Sequence, residues 1–277
     1  MSDGVSVAGR PLALGSLMWS RQPLEAALAK ARLLRIFALD LGARRTRHHL
    51  NLNDPARLDD EILQVGDTLD ADFEVVAVSA DYRDFTRAED GARQEAIRYT
   101  ARAILAAVGL GAPVVGTSLG SVPEGADWEA CAEKAAEALR SVAEEAEAQG
   151  ATVAVYLHVE DMADSVARLR QVLDAVDSVA VGAAFDTGML HYLKVDLDEA
   201  FAALGDRLHH VRLRDADENG YQAIPGRGEV DFAAFFRRLE EAGYQGVASL
   251  ELLDTKDQFG VDTSDAVREA IEHLSKL

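Results

Sequence analysis

At 277 residues and 48% hydrophobic, the chain can bury a substantial core within one domain. Its 48 acidic against 28 basic side chains leave a formal net charge of -20, which excludes nucleic acid and anionic membrane as primary partners. The single cysteine, Cys131, allows no internal disulfide and no cysteine-built metal cluster, and with no leader-like start and no apolar run near ~18 residues a soluble cytoplasmic protein is expected.

Short apolar runs alternate with longer amphipathic stretches from end to end, the rhythm of βα units around a parallel sheet. Strands are predicted at 12–17, 36–41, 73–79, 113–117, 151–157, 180–186, 208–213 and 246–251. Helices follow at 22–34, 55–70, 89–108, 126–149, 163–175, 196–204, 231–242 and 262–276. The first strand leads into Leu14-Gly15-Ser16-Leu17-Met18-Trp19, which is not a dinucleotide-binding glycine fingerprint. Trp19 there is a candidate apolar wall for a substrate ring. Arg44, Arg45, Arg47, His48 and His49 follow the second strand and read as a solvated basic loop, with anion capture as the alternative. Asp81, Tyr82, Arg83 and Asp84 follow the third, where a loop at about 80–90 is placed to act as a lid.

Farther along, Gly109-Leu110-Gly111 ends a helix as a C-cap, and Gly150 is placed to stop the Ala- and Glu-rich helix before it. Asp231 reads as an N-cap, with Phe232, Phe235 and Phe236 forming a core stripe behind it. Eight units with no linker, low-complexity tract or composition break predict a single α/β domain over 1–277, a (β/α)₈ TIM barrel. A doubly wound open sheet is the fallback.

Chemistry in such a barrel collects at the C-terminal strand ends. Alternation along the strands aims Tyr156 and His158 of the fifth at the axis, Asp186 of the sixth, His210, Arg212 and Arg214 of the seventh, and Ser249 and Glu251 of the eighth. His210 falls below the site and reads as structural.

The segments Leu208-His209-His210-Val211-Arg212-Leu213-Arg214-Asp215, Ile224-Pro225-Gly226-Arg227-Gly228-Glu229-Val230-Asp231-Phe232 and Gly243-Tyr244-Gln245-Gly246, with the strand ending in Glu251, resemble the xylose-isomerase-like barrels. That group includes sugar isomerases and epimerases, inosose and dehydroshikimate dehydratases, and abasic-site endonucleases. The resemblance implies a divalent metal held by a Glu, an Asp, a His and a Glu from the fifth to eighth strands. Asp186 and Glu251 match, but Tyr156 replaces the first Glu, Arg212 replaces the His, and Met189 replaces a further His after Asp186. Two carboxylates alone hold Mg²⁺ or Mn²⁺ weakly, and a guanidinium brings a fixed positive charge to the same place. The expectation is therefore no cofactor, with Arg212 paired to Asp186 and Glu251 in the cation's stead. The alternative is a Mn²⁺ or Mg²⁺ on Asp186, Glu251 and His158.

Four residues are assigned to catalysis: His158 as general acid or base, Glu251 as a proton acceptor if its pKa is raised, and Tyr156 and Arg212 as stabilisers of a developing enolate. Asp186, Trp19, Asp81, Arg214 and Arg227 are assigned to substrate binding. The leading reading is an isomerase, epimerase or dehydratase-type lyase acting on a sugar, polyol or other oxygenated small molecule, without metal. Its rivals are a metal-free biosynthetic enzyme such as a cyclase on a non-sugar substrate, and a non-catalytic small-molecule-binding barrel. A homo-oligomer is compatible with either. The abasic-site endonuclease reading ranks last, for want of the ligand set and a basic face for DNA.

Overall fold

The computed structural model describes residues 4–87 and 89–277. Eight strands, β1 (Arg10–Gly15), β2 (Ala38–Gly42), β3 (Glu74–Ser79), β4 (Val114–Thr117), β5 (Thr152–Tyr156), β6 (Val181–Asp186), β7 (Leu208–Leu213) and β8 (Ala248–Leu250), pair in parallel in chain order. The ring closes where Ala248, Ser249 and Leu250 of β8 lie opposite Leu12, Ala13 and Leu14 of β1. Long helices cross back over the outside, among them Asp90–Gly109 and Trp128–Gln149. This is the single-domain TIM barrel that the βα rhythm predicts.

Local chemistry sets the element ends. The Asp127 side chain caps the helix Trp128–Gln149 by accepting from Ala130 N–H, and Gly150, at φ +69°, ends it in the left-handed region. Asp231 caps Phe232–Glu241 through Ala234 N–H, and Phe232, Phe235 and Phe236 are buried beneath that helix as expected. Burial of each such side chain stabilises the fold by about 1.5–3 kcal/mol.

The barrel interior is unusual in what it must hold. Bulky polar residues, Tyr156, His210 and Arg212, occupy it, and small inward neighbours leave them room. Ala154 and Ala184 pack against Tyr156, and a Cβ on Gly116 would come within 3.0 Å of its ring.

Three features were not foreseen. Ser6–Val7 adds a short antiparallel strand to β1. A hairpin, Asp215–Asp217 with Gly220–Ala223, follows β7, its turn tied by Asp217 accepting from Asn219 N–H at 2.8 Å and Gly220 N–H at 3.1 Å. Short helices, Thr187–Tyr192 and Thr255–Phe259, follow β6 and β8. All but the first lie beyond the C-terminal strand ends, around the mouth. Among the described residues no helix is long and apolar enough to cross a membrane.

Candidate active site at the barrel mouth

A cavity of about 410 Å³ opens at this end of the barrel. Its lining comes from side chains two residues apart on successive strands: Arg44 past β2, Asp81 and Arg83 past β3, Tyr156 and His158 on and past β5, then Asp186, Arg212 and Arg214. The hairpin supplies a wall through Tyr221 and Gln222. Gln222 fastens that wall by donating to the Leu253 carbonyl at 2.7 Å and accepting from Leu253 N–H at 3.2 Å.

Glu251 lies just past β8, fully buried, and three guanidiniums converge on its Oε1. Arg214 Nη2 is 2.5 Å away, Arg212 Nη1 3.3 Å and Arg44 Nη2 3.5 Å. Burial raises the pKa of this carboxyl, but Arg212, Arg44 and Arg214 together outweigh it and hold Glu251 below the usual range. A carboxylate held this firmly ionised is a poor proton acceptor. The Glu251 assignment as a base is thereby disfavoured, since the raised pKa it needed is absent.

The pairing of the arginines also differs from expectation. Asp186 Oδ2 faces Arg214 Nε at 3.3 Å, while its Oδ1 accepts from Met189 N–H and caps the next helix. Arg212 meets Glu251, as expected, but its further partner is Ser79 rather than Asp186; the Ser79 hydroxyl accepts from it at 2.9 Å and donates to Asp40 at 2.7 Å. Its guanidinium stands 4.2 Å from the centre of the Tyr156 ring, a cation–π contact in a desolvated setting. Burial works against the Arg212 charge, yet Glu251, Tyr156 and Asp40 raise its pKa above the ordinary value.

Asp40 and His210 close the network from below, 3.1 Å apart. Burial pushes the Asp40 carboxyl up, and the bond and charge of His210, then Arg212, bring it down to about 2. His210 is buried, as the sequence indicated. Tyr156 lines the cavity, but its hydroxyl is buried without a hydrogen-bond partner, and burial raises its pKa.

His158 is of another kind. Its Nδ1 lies 2.5 Å from the Val159 carbonyl, which can only accept, so Nδ1 carries the proton and Nε2 offers its lone pair to Arg83 Nη2 at 3.4 Å. Burial lowers its pKa and, with the Arg83 charge, outweighs the bond to Val159, so that the neutral ring is favoured. The Tyr221 ring meets it edge-on at 5.6 Å.

Two substrate-binding assignments fall outside this cavity. Trp19 is carried by the 3₁₀ turn Ser16–Trp19 into a neighbouring cavity of about 270 Å³, with Lys30 over its ring. Arg227 is exposed and bidentate on Glu269 at 2.6 and 2.7 Å. The motif around it serves the fold: Asp215 accepts from Gly226, Gly228, Val230 and Ala216 N–H, each at 2.9 Å. A Cβ on Gly228 would lie 2.4 Å from the Asp215 carboxylate, which explains the glycine.

The segment after β3 is not an open flap over most of its length. Asp81 is ion-paired to Arg44 at 3.3 Å, Tyr82 and Phe85 are buried, and Phe85 N–H donates to the Leu119 carbonyl. Ala88, within the expected lid, lies outside the described residues. Sequence reasoning missed Asp40 and Ser79, and it left Arg44 in a solvated loop. The signal was the period-two series Asp40-Gly42-Arg44 and Ser79-Asp81-Arg83, both facing the axis.

A divalent metal fits these residues badly. The four strand-end positions hold a phenol, two carboxylates and a guanidinium, and both carboxylates are already bound by Arg214. The fallback trio of Asp186, Glu251 and His158 does not converge, and no group of three or more His, Cys, Asp or Glu among the described residues could hold an ion.

Comparison with known proteins gives a consistent picture. The family model described as xylose isomerase-like TIM barrel matches residues 37–277. Inosose dehydratase of Lacticaseibacillus casei is 26% identical over 132 residues, 41% of this chain and 44% of that protein. Inosose dehydratase of Clostridium perfringens is 24% identical over 134 residues, 42% and 45% respectively. The chain thus spans less than half the length of the curated relatives it matches. Among solved structures, an IolI protein with bound zinc superposes with a TM-score of 0.79 at 16% identity, over 96% of this chain and 98% of that one. The 3-keto-D-glucoside 4-epimerase YcjR of E. coli gives 0.78 at 16% identity, over 97% and 100%. Such likenesses speak to the fold.

Proposed function

The chain belongs to the xylose isomerase-like TIM-barrel family, and from that membership we propose that it is an isomerase, epimerase or dehydratase acting on a sugar, polyol or related oxygenated molecule. The reaction is proton transfer at a carbon next to a carbonyl, with guanidinium groups supplying the positive charge a divalent ion would bring. The partial matches to inosose dehydratases support the substrate class.

The observation that carries this reading is the pairing of a neutral imidazole with a fixed cationic cluster in one cavity. His158, with Nδ1–H tied to Val159, presents a basic Nε2 and takes the proton from carbon. The carbonyl oxygen gains negative charge as the enolate forms. Arg212 stabilises it, and the unpartnered Tyr156 hydroxyl donates to it. Glu251 remains ionised and positions the guanidiniums. Return of the proton to the neighbouring carbon, with a hydroxyl proton passing between the two oxygens, completes an isomerisation; a proton from water on the opposite face completes an epimerisation; and loss of a β-hydroxyl that takes its proton from the His158 imidazolium completes a dehydration.

The test is solvent deuterium incorporation beside the carbonyl of ketoses and inososes, followed by NMR in D₂O with and without EDTA. Exchange that survives EDTA and is lost in His158→Gln is the expected result. Exchange that requires added Mn²⁺ would overturn the metal-free reading.

A further inference from the structure

Three of the four arginines lining the cavity are committed to carboxylates: Arg212 and Arg214 to Glu251, and Arg44 to Asp81 and Glu251. Arg83 is not. The one carboxylate within 4.0 Å of its guanidinium among the described residues is Asp81, 3.7 Å away and closer to Arg44. Its other contact is the long bond to the neutral His158 ring. The side chain is 44% exposed at the rim.

Its backbone, by contrast, is pinned. Gly120, at φ +97°, lies so close that a Cβ there would be 1.8 Å from the Arg83 carbonyl oxygen. Phe85 N–H donates to Leu119 O at 3.1 Å, and Gly120 N–H donates to the buried Asp161 at 2.7 Å. A rigid base thus carries a loosely held cation.

We propose that Arg83 anchors an anionic group of the substrate, a carboxylate or a phosphate, at the rim of the pocket beside His158. An oxyanion gains charge-assisted, bidentate bonds from the planar fork and competes with the 3.4 Å contact to the imidazole and the 3.7 Å contact to Asp81, a carboxylate that keeps its nearer partner Arg44. The other three guanidiniums would have to abandon buried ion pairs to do the same. The substrate is then a sugar acid or sugar phosphate, or a related small oxyacid, rather than a neutral sugar. This deepens the proton-transfer reading of the same pocket and rests on it.

The test follows the His158 ring signals by NMR in histidine-labelled protein, assigned with His158→Gln. Glycolate, inorganic phosphate and glycerol are titrated in at constant ionic strength set with sodium chloride. The expected result is a saturable shift with an anion and none with glycerol. Binding should weaken at least ~10-fold in Arg83→Gln, about 1.4 kcal/mol. Arg83→Lys, which keeps the charge and loses the fork, should also bind more weakly, and thermal unfolding shows whether each variant is folded. Whichever of glycolate or phosphate saturates at lower concentration identifies the group. No saturable shift from either anion, or equal binding in both variants, overturns the subsite. Deuterium exchange that persists while anion binding is absent would overturn the subsite alone and leave the proton-transfer reading intact.

Discussion

One cavity holds two unlike cationic sites. On the Glu251 side, Arg212, Arg214 and Arg44 surround one buried carboxylate, and the side chains of Arg212, Arg214 and Glu251 are at most 5% exposed. On the His158 side, Arg83 is 44% exposed and held by contacts of 3.4 and 3.7 Å. On the proposed reading the difference separates scaffold from chemistry. Charges locked in mutual ion pairs set a field and resist rearrangement, whereas a neutral imidazole beside a weakly held guanidinium can exchange partners with a ligand.

The largest expected effect is on the locked side. Glu251→Gln leaves two buried guanidiniums, Arg212 and Arg214, and the half-buried Arg44 facing a neutral amide, a loss of about 3–5 kcal/mol. That corresponds to a fall in Tm of roughly 6–20 °C for a chain of this size, read by calorimetry. A change within the error of the scan would mean the cluster is not the structural element described. His158→Gln should do the reverse, lowering turnover by about 10²–10⁴ with little change in Tm. Equal damage to both quantities would erase the distinction between the two sides.

The pH profile sharpens the same contrast. On the proposed reading His158 acts as a base in its neutral form, so kcat/KM should fall on acidification as the ring protonates, with the limb displaced downward from that of a free imidazole because burial and then Arg83 disfavour the charge. Arg83→Gln removes one of those influences and should move the limb upward. A limb displaced upward from that of a free imidazole, or one that the substitution leaves in place, contradicts the burial and the Arg83 contact given for His158. The smallest effect belongs to Arg227, whose exposed pair with Glu269 is worth about 1 kcal/mol or less. Arg227→Ala should leave turnover unchanged, and a large loss would return that residue to the site.

What the sequence made legible follows from periodicity. Apolar runs of five or six residues between amphipathic stretches specify parallel strands, and alternation then aims Tyr156, His158, Asp186, Arg212, Arg214 and Glu251 at one mouth. It also indicated that His210 lies below them. Partner choice was not legible, because it depends on side-chain reach across the ring. Arg212 and Arg214 are two residues apart on one strand face, and which of them meets Asp186 is decided in three dimensions. Arg44 was hidden by its basic neighbours, although its distance of four from Asp40 puts both on the inner face. Arg227 was misplaced for the opposite reason: it sits in a distinctive motif whose physical purpose is to bring backbone N–H groups to Asp215. The hairpin wall turns through Glu218 and Asn219, with Asp217 the turn-forming residue that accepts from Asn219 and Gly220 N–H.

Calorimetric titration of chelator-treated protein with Mn²⁺ puts the central claim to its most direct test. If guanidiniums hold the place of the cation, wild-type protein takes up no stoichiometric Mn²⁺, and Glu251→Gln behaves the same. One-to-one uptake by the wild type that disappears in Glu251→Gln would show that the carboxylates recruit a metal in preference to their arginines, and the account would be wrong.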